Sequence, residues 1–143
     1  MLKIKEIEYN SDEYIASVDL RDKILRKPIG LKFTEEFLAK DVRDFHIGAF
    51  ISGKLVSILI LSPVNTHEIK MRQVAVDNSL SGQGIGSKLV EYSEKFSRQK
   101  GFRTMLLHAR ESAMEFYKKL NYKVVGEKFF EVGIAHFKME KAL

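Results

Sequence analysis

The chain contains no cysteine and only two prolines, Pro28 and Pro63. Without cysteine there can be no disulfide, no Cys-ligated zinc and no cysteine nucleophile. Long apolar runs are also missing. The longest, around Leu55 to Leu61, is interrupted by Ser57 and is too short to span a bilayer, so no membrane partner is expected. The opening Met1-Leu2-Lys3-Ile4-Lys5 lacks the apolar core of a signal peptide, which makes cytoplasmic residence the expectation. Lysine and arginine form no dense block, so a nucleic-acid partner is not expected either. There are no repeats, no low-complexity tract and no linker.

What is present is enough for one ordinary domain over residues 1–143, with 45% apolar residues to fill a core and 30% charged residues spread along the chain. The formal net charge of +5 suits solubility, or an anionic ligand. Leu2 to Tyr9 reads as a first strand. Asn10 and Glu13 have the spacing of a capping box opening a helix that runs to about Arg26, with Ile15, Val18, Ile24 and Leu25 near helical spacing and Pro28-Ile29-Gly30 breaking it. Thr34 is placed to cap a short second helix through Leu38. Phe45 to Ile51 and Lys54 to Leu61, separated by Ser52-Gly53, form a hairpin. Met71 to Val76 is a further strand.

A long helix begins near Ile85, with Ile85, Leu89, Tyr92 and Phe96 as its apolar stripe and Gly101 at its end. Thr104 to His108 is a strand, and Ser112 to Leu120 a short helix stopped by Asn121. Tyr122 to Phe130 and Ile134 to Lys141 close the chain as strands. The fold class expected is α/β (α+β): a mixed, largely antiparallel central sheet with helices on both faces.

Between the Met71–Val76 strand and the long helix lies Asp77-Asn78-Ser79-Leu80-Ser81-Gly82-Gln83-Gly84-Ile85-Gly86. Glycines let backbone N–H groups turn toward a ligand and let a phosphate approach. The helix N-terminus adds unpaired donors and the positive end of the dipole. Ser87 and Lys88 follow. The plain alternative is a tight strand-to-helix turn with no ligand. The Walker pattern fails, because Ser87 separates Gly86 from Lys88. The dinucleotide fingerprint fails too: its third glycine is replaced by Ser87, and Leu106, Leu107 and His108 stand where it needs an acid.

The segment instead resembles the coenzyme A motif of the GNAT acetyltransferases, Arg/Gln-x-x-Gly-x-Gly/Ala. Gly84 and Gly86 fill its glycine positions, and Ser81 stands where Arg or Gln is usual. Val74-Ala75-Val76 resembles the family's preceding strand. Ala113-Met114-Glu115-Phe116-Tyr117-Lys118-Lys119-Leu120-Asn121-Tyr122 resembles its second signature, with Asn121 for Gly and Tyr122 for Phe. Arg110 occupies the place of a frequent Asn.

The resemblance, spanning about residues 71 to 126, implies transfer of acetyl from acetyl-CoA directly to an amine, borne by a small molecule or a protein, with no metal and with homodimerisation possible for the fold. It implies coenzyme contacts at Val74, Val76, Ser81, Gly82, Gln83, Gly84, Ile85, Gly86, Ser87, Lys88 and Phe116. The alternative reading is a non-catalytic acyl-CoA sensor on the same fold.

Such chemistry needs a deprotonated amine, a polarised thioester carbonyl and a proton for the departing thiolate. A strand N–H near Gln73 or Val74 is the candidate for the carbonyl. Tyr117 is the candidate acid, set against a role as a packed aromatic beside Phe116. The base stays open between His108, His136 and none at all. Glu131 and Glu111 are weaker candidates, and Arg72 offers no carboxylate. Glu35 and Glu36 read as a solvated helix face or as an attraction for a cationic acceptor.

Overall fold

The computed structural model describes all residues except Lys32 and residues 34–37. The helix expected at Thr34 to Leu38, with Glu35 and Glu36, falls almost wholly outside the described residues. The chain divides into two compact units. One comprises Met1–Ser62 and Gln73–Ser93, the other Pro63–Arg72 and Glu94–Leu143.

The first unit holds β1 (Leu2–Ile7), α1 (Asp12–Arg21), β2 (Phe45–Ile51), β3 (Lys54–Pro63) and the end of β4 (Glu68–Val76), with strand order β1-β2-β3-β4. β1 and β3 each lie antiparallel to β2. The Ser52-Gly53 hairpin forms as expected, with both residues at positive φ. β3 is buried almost throughout, as an apolar-on-both-faces strand should be.

The start of α1 differs from the capping-box reading. Ser11, not Asn10, is the N-cap, and its hydroxyl accepts from the Tyr14 N–H at 3.1 Å. Asn10 instead takes a left-handed conformation that turns the chain out of β1. The buried stripe of α1 is Tyr14, Ser17 and Arg21, whereas Ile15 is 57% exposed. Beyond Arg21 the helix loosens into a π turn over Asp22–Arg26 and a 3₁₀ turn over Lys27–Ile29, ended by left-handed Gly30. The core of this unit packs Ile7, Tyr14, Phe50, Leu55, Ile58 and Ala75 together.

The second unit holds the start of β4, then β5 (Thr104–Arg110), α3 (Met114–Lys119), β6 (Lys123–Val124), β7 (Phe129–Glu131) and β8 (Ile134–Ala142), with strand order β4-β5-β8-β6 and β7 on β8. β4 and β5 run parallel, and the other pairs of this unit run antiparallel. The long strand expected over Tyr122–Phe130 is instead two short ones, because exposed Gly126 at positive φ turns the chain between them. Asn121 takes the left-handed conformation expected of it.

α2 (Ile85–Gln99) contributes to both units. Its buried positions include Ile85, Leu89, Val90, Ser93, Glu94 and Ser97, so the stripe is rotated from the one expected, and Tyr92 is 36% exposed. Glu94 explains part of this: it accepts from the Tyr122 hydroxyl at 2.8 Å and pairs with Lys141 at 3.0 Å. A mixed, largely antiparallel sheet with helices is the fold class expected.

Candidate active site

The glycine loop belongs to the first unit. Asp77 opens it, its carboxylate accepting from the Ser79 N–H at 3.0 Å and the Ser79 hydroxyl at 2.9 Å. These bonds, the backbone one first, hold the Asp77 carboxyl below its usual range. A 3₁₀ turn follows over Asn78–Leu80. Gly82 and Gly84 then take φ of 80° and 78°, which an L side chain rarely adopts, and a Cβ built on either would meet nothing within 4 Å. Their requirement for glycine is therefore conformational and leaves open space above the loop. The Lys88 N–H bonds to the Gly84 carbonyl at 3.2 Å, so the amides of Ile85, Gly86 and Ser87 lie ahead of the helical ladder. Ser81, Gln83 and Lys88 are exposed, while Ile85 is buried and anchors the turn. An exposed cradle of backbone donors beside a lysine suits a polyphosphate.

β4 leads into this loop and is not a uniform strand. Its residues Glu68–Met71 pair with β5, and then Gln73 adopts φ of 56°. A left-handed residue inside a strand is a bulge, which re-aims the backbone that follows it. Beyond the bulge, the Ala75 carbonyl accepts from the Ser57 hydroxyl at 2.9 Å, and the Asp77 N–H donates to the Val56 carbonyl at 2.8 Å. Ala75 points into the core, and half-buried Val74 and Val76 alternate with it. The Gln73 side-chain oxygen is buried with no hydrogen-bond partner. Nothing in the local sequence signals this bulge; glutamine is not a residue that favours positive φ.

The remaining predicted residues belong to the second unit. Tyr117 is buried, edge-on to Phe116 at 5.0 Å and to Tyr122 at 5.7 Å. Its hydroxyl makes no hydrogen bond to another described residue. Burial pushes the phenol well above its ordinary pKa, so it keeps its proton. His136 is buried on β8, with Nδ1 2.7 Å from the Ile134 carbonyl. A carbonyl only accepts, so this nitrogen carries the proton and Nε2 carries the lone pair.

His108 on β5 has Nδ1 3.0 Å from Glu131 Oε2 and 3.2 Å from Lys70 Nζ. The ring of Phe129 stands edge-on to His108 at 4.9 Å and is stacked on His136 at 5.8 Å. The structure thus brings His108, His136 and Glu131 to one place, and adds Lys70 and Phe129, which the sequence reading left unassigned. The parallel register of β4 on β5 is what delivers Lys70, and no local pattern encodes it. Glu111, by contrast, pairs with Lys128 at 2.9 Å.

The Acetyltransferase (GNAT) domain family model matches residues 23–143. The uncharacterized N-acetyltransferase YitI of Bacillus subtilis is 29% identical over 100% of this chain and 97% of its own length. A GNAT family acetyltransferase from Elizabethkingia anophelis with acetyl-CoA bound superposes with a TM-score of 0.78 at 14% identity, covering 99% of this chain and 98% of that one. An aminoglycoside 6'-N-acetyltransferase complexed with coenzyme A superposes with a TM-score of 0.83 at 20% identity, covering 98% and 96%. These two likenesses are of fold, and the sequence match carries the family. The chain belongs to the GNAT acetyltransferases and is an acyltransferase enzyme.

Proposed function

We propose that this enzyme takes the acetyl group of acetyl-CoA and passes it directly to an amine, without an acyl-enzyme intermediate. The observation that carries the reading is the exposed loop in which Gly82 and Gly84 hold left-handed conformations immediately before α2. In this reading the amides from Gly82 to Ser87 take the pyrophosphate, with Ser81, Gln83 and Lys88 at its rim. Val74 and Val76 offer backbone hydrogen bonds to the pantetheine arm, and Phe116 lends an apolar contact. The bulge at Gln73 turns a strand N–H out of the ladder, where it can polarise the thioester carbonyl. Tyr117 supplies a proton to the departing thiolate, and His108 or His136 faces the acceptor. Direct transfer agrees with the absence of cysteine.

Isothermal titration and thermal melts with acetyl-CoA test this. At a hundredfold excess over its dissociation constant a ligand adds about 2.7 kcal/mol of stability. No heat and no shift at millimolar acetyl-CoA would refute the reading. Gly84→Val should abolish the shift, because valine disfavours positive φ and crowds the open side of the loop. Ser81, where the motif has Arg or Gln, favours a second reading in which the acyl-CoA is held without turnover. Coenzyme release in the presence of spermidine, kanamycin, lysine or a peptide with a free N-terminus separates the two.

A further inference from the structure

Residues directly opposed in a ladder point to the same face of a sheet, and alternate residues follow them. In the second unit Lys70 is opposite Leu106, His108 opposite Lys138, Arg110 and Phe129 opposite His136, and Glu131 opposite Ile134. All of these therefore share one face. The other face, with Ile69, Met71, Met105, Leu107, Ala109 and Met139, is buried core. His108 stands on the half-open face, its side chain 29% exposed.

One nitrogen of His108 has two neighbours. Nδ1 can donate to Glu131 or accept from Lys70, but a neutral ring cannot do both there. The choice follows from what each neighbour can do. The Glu131 carboxylate can only accept, and an N–H aimed at it makes a charge-assisted bond. Lys70 has three N–H groups and can turn them elsewhere. The proton thus belongs on Nδ1, aimed at Glu131, and the lone pair on Nε2. Among the described residues nothing bonds to Nε2. Phe129, edge-on at 4.9 Å, packs the ring in this orientation.

We propose that Glu131 is the positioning residue of His108: by accepting the Nδ1 proton it holds the tautomer whose Nε2 takes a proton from the acceptor amine. The proposal rests on the acetyl-transfer reading above and adds which imidazole acts and what directs it. As the amine nitrogen bonds to the acetyl carbon and the C–S bond breaks, His108 Nε2 receives the amine proton and Tyr117 gives its own to the coenzyme sulfur. Water then carries a proton from His108 back to Tyr117, and the enzyme is unchanged. Glu131 stabilises the transient imidazolium, in line with a carboxyl that His108, His136 and Lys70 together hold below its usual range even though burial acts to raise it. The other charged groups on this face are Glu68 and Arg72 on β4, Arg110 on the strand of His108, Lys138 and Glu140 on β8, and Lys123 on β6.

The tautomer can be read directly by long-range proton–nitrogen NMR on protein carrying isotope-labelled histidine. His108→Gln identifies the signals. At about pH 8 we expect Nδ1 protonated and Nε2 bare. Glu131→Ala should move the ring toward the Nε2–H form that an unconstrained imidazole prefers, and Glu131→Gln, which keeps an accepting oxygen, should largely restore the parent form. A parent ring with Nε2 protonated, or a Glu131→Ala spectrum identical to the parent's, overturns the proposal.

In turnover of whichever amine of the panel above is acetylated, Glu131→Ala should lower kcat about 10²-fold with the KM for acetyl-CoA unchanged. The double variant with His108→Gln should be no worse than His108→Gln alone, and independent losses would also overturn the proposal. Acetyl-CoA affinity, measured by calorimetry on the same proteins, reports on the transferase reading separately. Its absence in the parent strikes that reading, whereas the tautomer strikes Glu131 alone.

Discussion

Asp41 and Glu131 are both carboxylates that accept from a donor on a ring, yet their settings are opposite. Asp41 Oδ2 accepts from the Tyr14 hydroxyl at 2.7 Å and Arg21 Nη1 at 2.8 Å, and the side chains of Arg21 and Asp41 are 0% and 2% exposed. His46 closes the group from the other side, with Nε2 2.8 Å from the Asp41 carbonyl and its ring edge-on to Tyr14. Glu131 meets His108 on a half-open sheet face, with its own side chain 48% exposed. The buried group cannot exchange a partner for water, so it serves the fold. The open group can exchange a partner for water or for a ligand, so it is available for chemistry.

Removing one partner should separate the two groups most sharply. Asp41→Ala leaves a buried guanidinium and phenol without an acceptor, and breaking such a pair costs about 3–5 kcal/mol. Chemical denaturation should show this as a lower midpoint, and a midpoint equal to the parent's would place Asp41 with Glu131 and end the comparison. Tyr14→Phe removes only the neutral donor to a buried carboxylate, a loss of about 1.5–3 kcal/mol in the same experiment. Burial and the bond to Asp41 push the Tyr14 phenol above its ordinary pKa, so this bond should persist through mildly alkaline pH.

Glu131→Ala should change stability by no more than about 1 kcal/mol, because exposed ion pairs contribute little. Its signature is pH dependence. The folded carboxyl is held below its unfolded value, so the contribution of Glu131 is present above the ordinary glutamate range and disappears as the pH falls through the depressed value. Difference titrations of parent and variant stability should converge at acid pH. Smallest of all should be the effect of Glu111→Ala, which breaks an ion pair with Lys128 whose two side chains are about half exposed. A change within about 0.5 kcal/mol is expected in the same melts.

The glycine loop and the His108 cluster also differ in how far they can be read from the chain alone. The phosphate loop is built from backbone, and its residues are consecutive: Gly82, Gly84 and Gly86 announce the turn by their type and spacing. The Ser52-Gly53 hairpin and the Asn121 helix stop were legible for the same reason, since each is a local conformational demand. The His108 cluster draws on β4, β5, β7 and β8. His108 and His136 were visible as candidates, but neither could be ranked, because what distinguishes them is a partner thirty or so positions away: Lys70 is 38 and Glu131 is 23 residues from His108 in the chain. The helix faces failed for a related reason. Apolar periodicity placed Ile15 inside, but the buried Asp41 selects Tyr14 and Arg21, and a partnered polar group can take a core position that periodicity assigns to an apolar one.

By itself, then, the order of residues determined the strands before Gly126, the glycine-rich turn before α2, the family and the class of chemistry, all of which rest on local conformational preference or on contiguous motifs. Tertiary structure alone decided the bulge at Gln73, which tethers on both sides impose on a residue with no preference for it. It also decided which face of α1 is buried and which carboxylate meets which cation. Those outcomes depend on strand register and burial, and both are properties of segments brought together from distant parts of the chain, where desolvation sets whether a charge is locked or free to react.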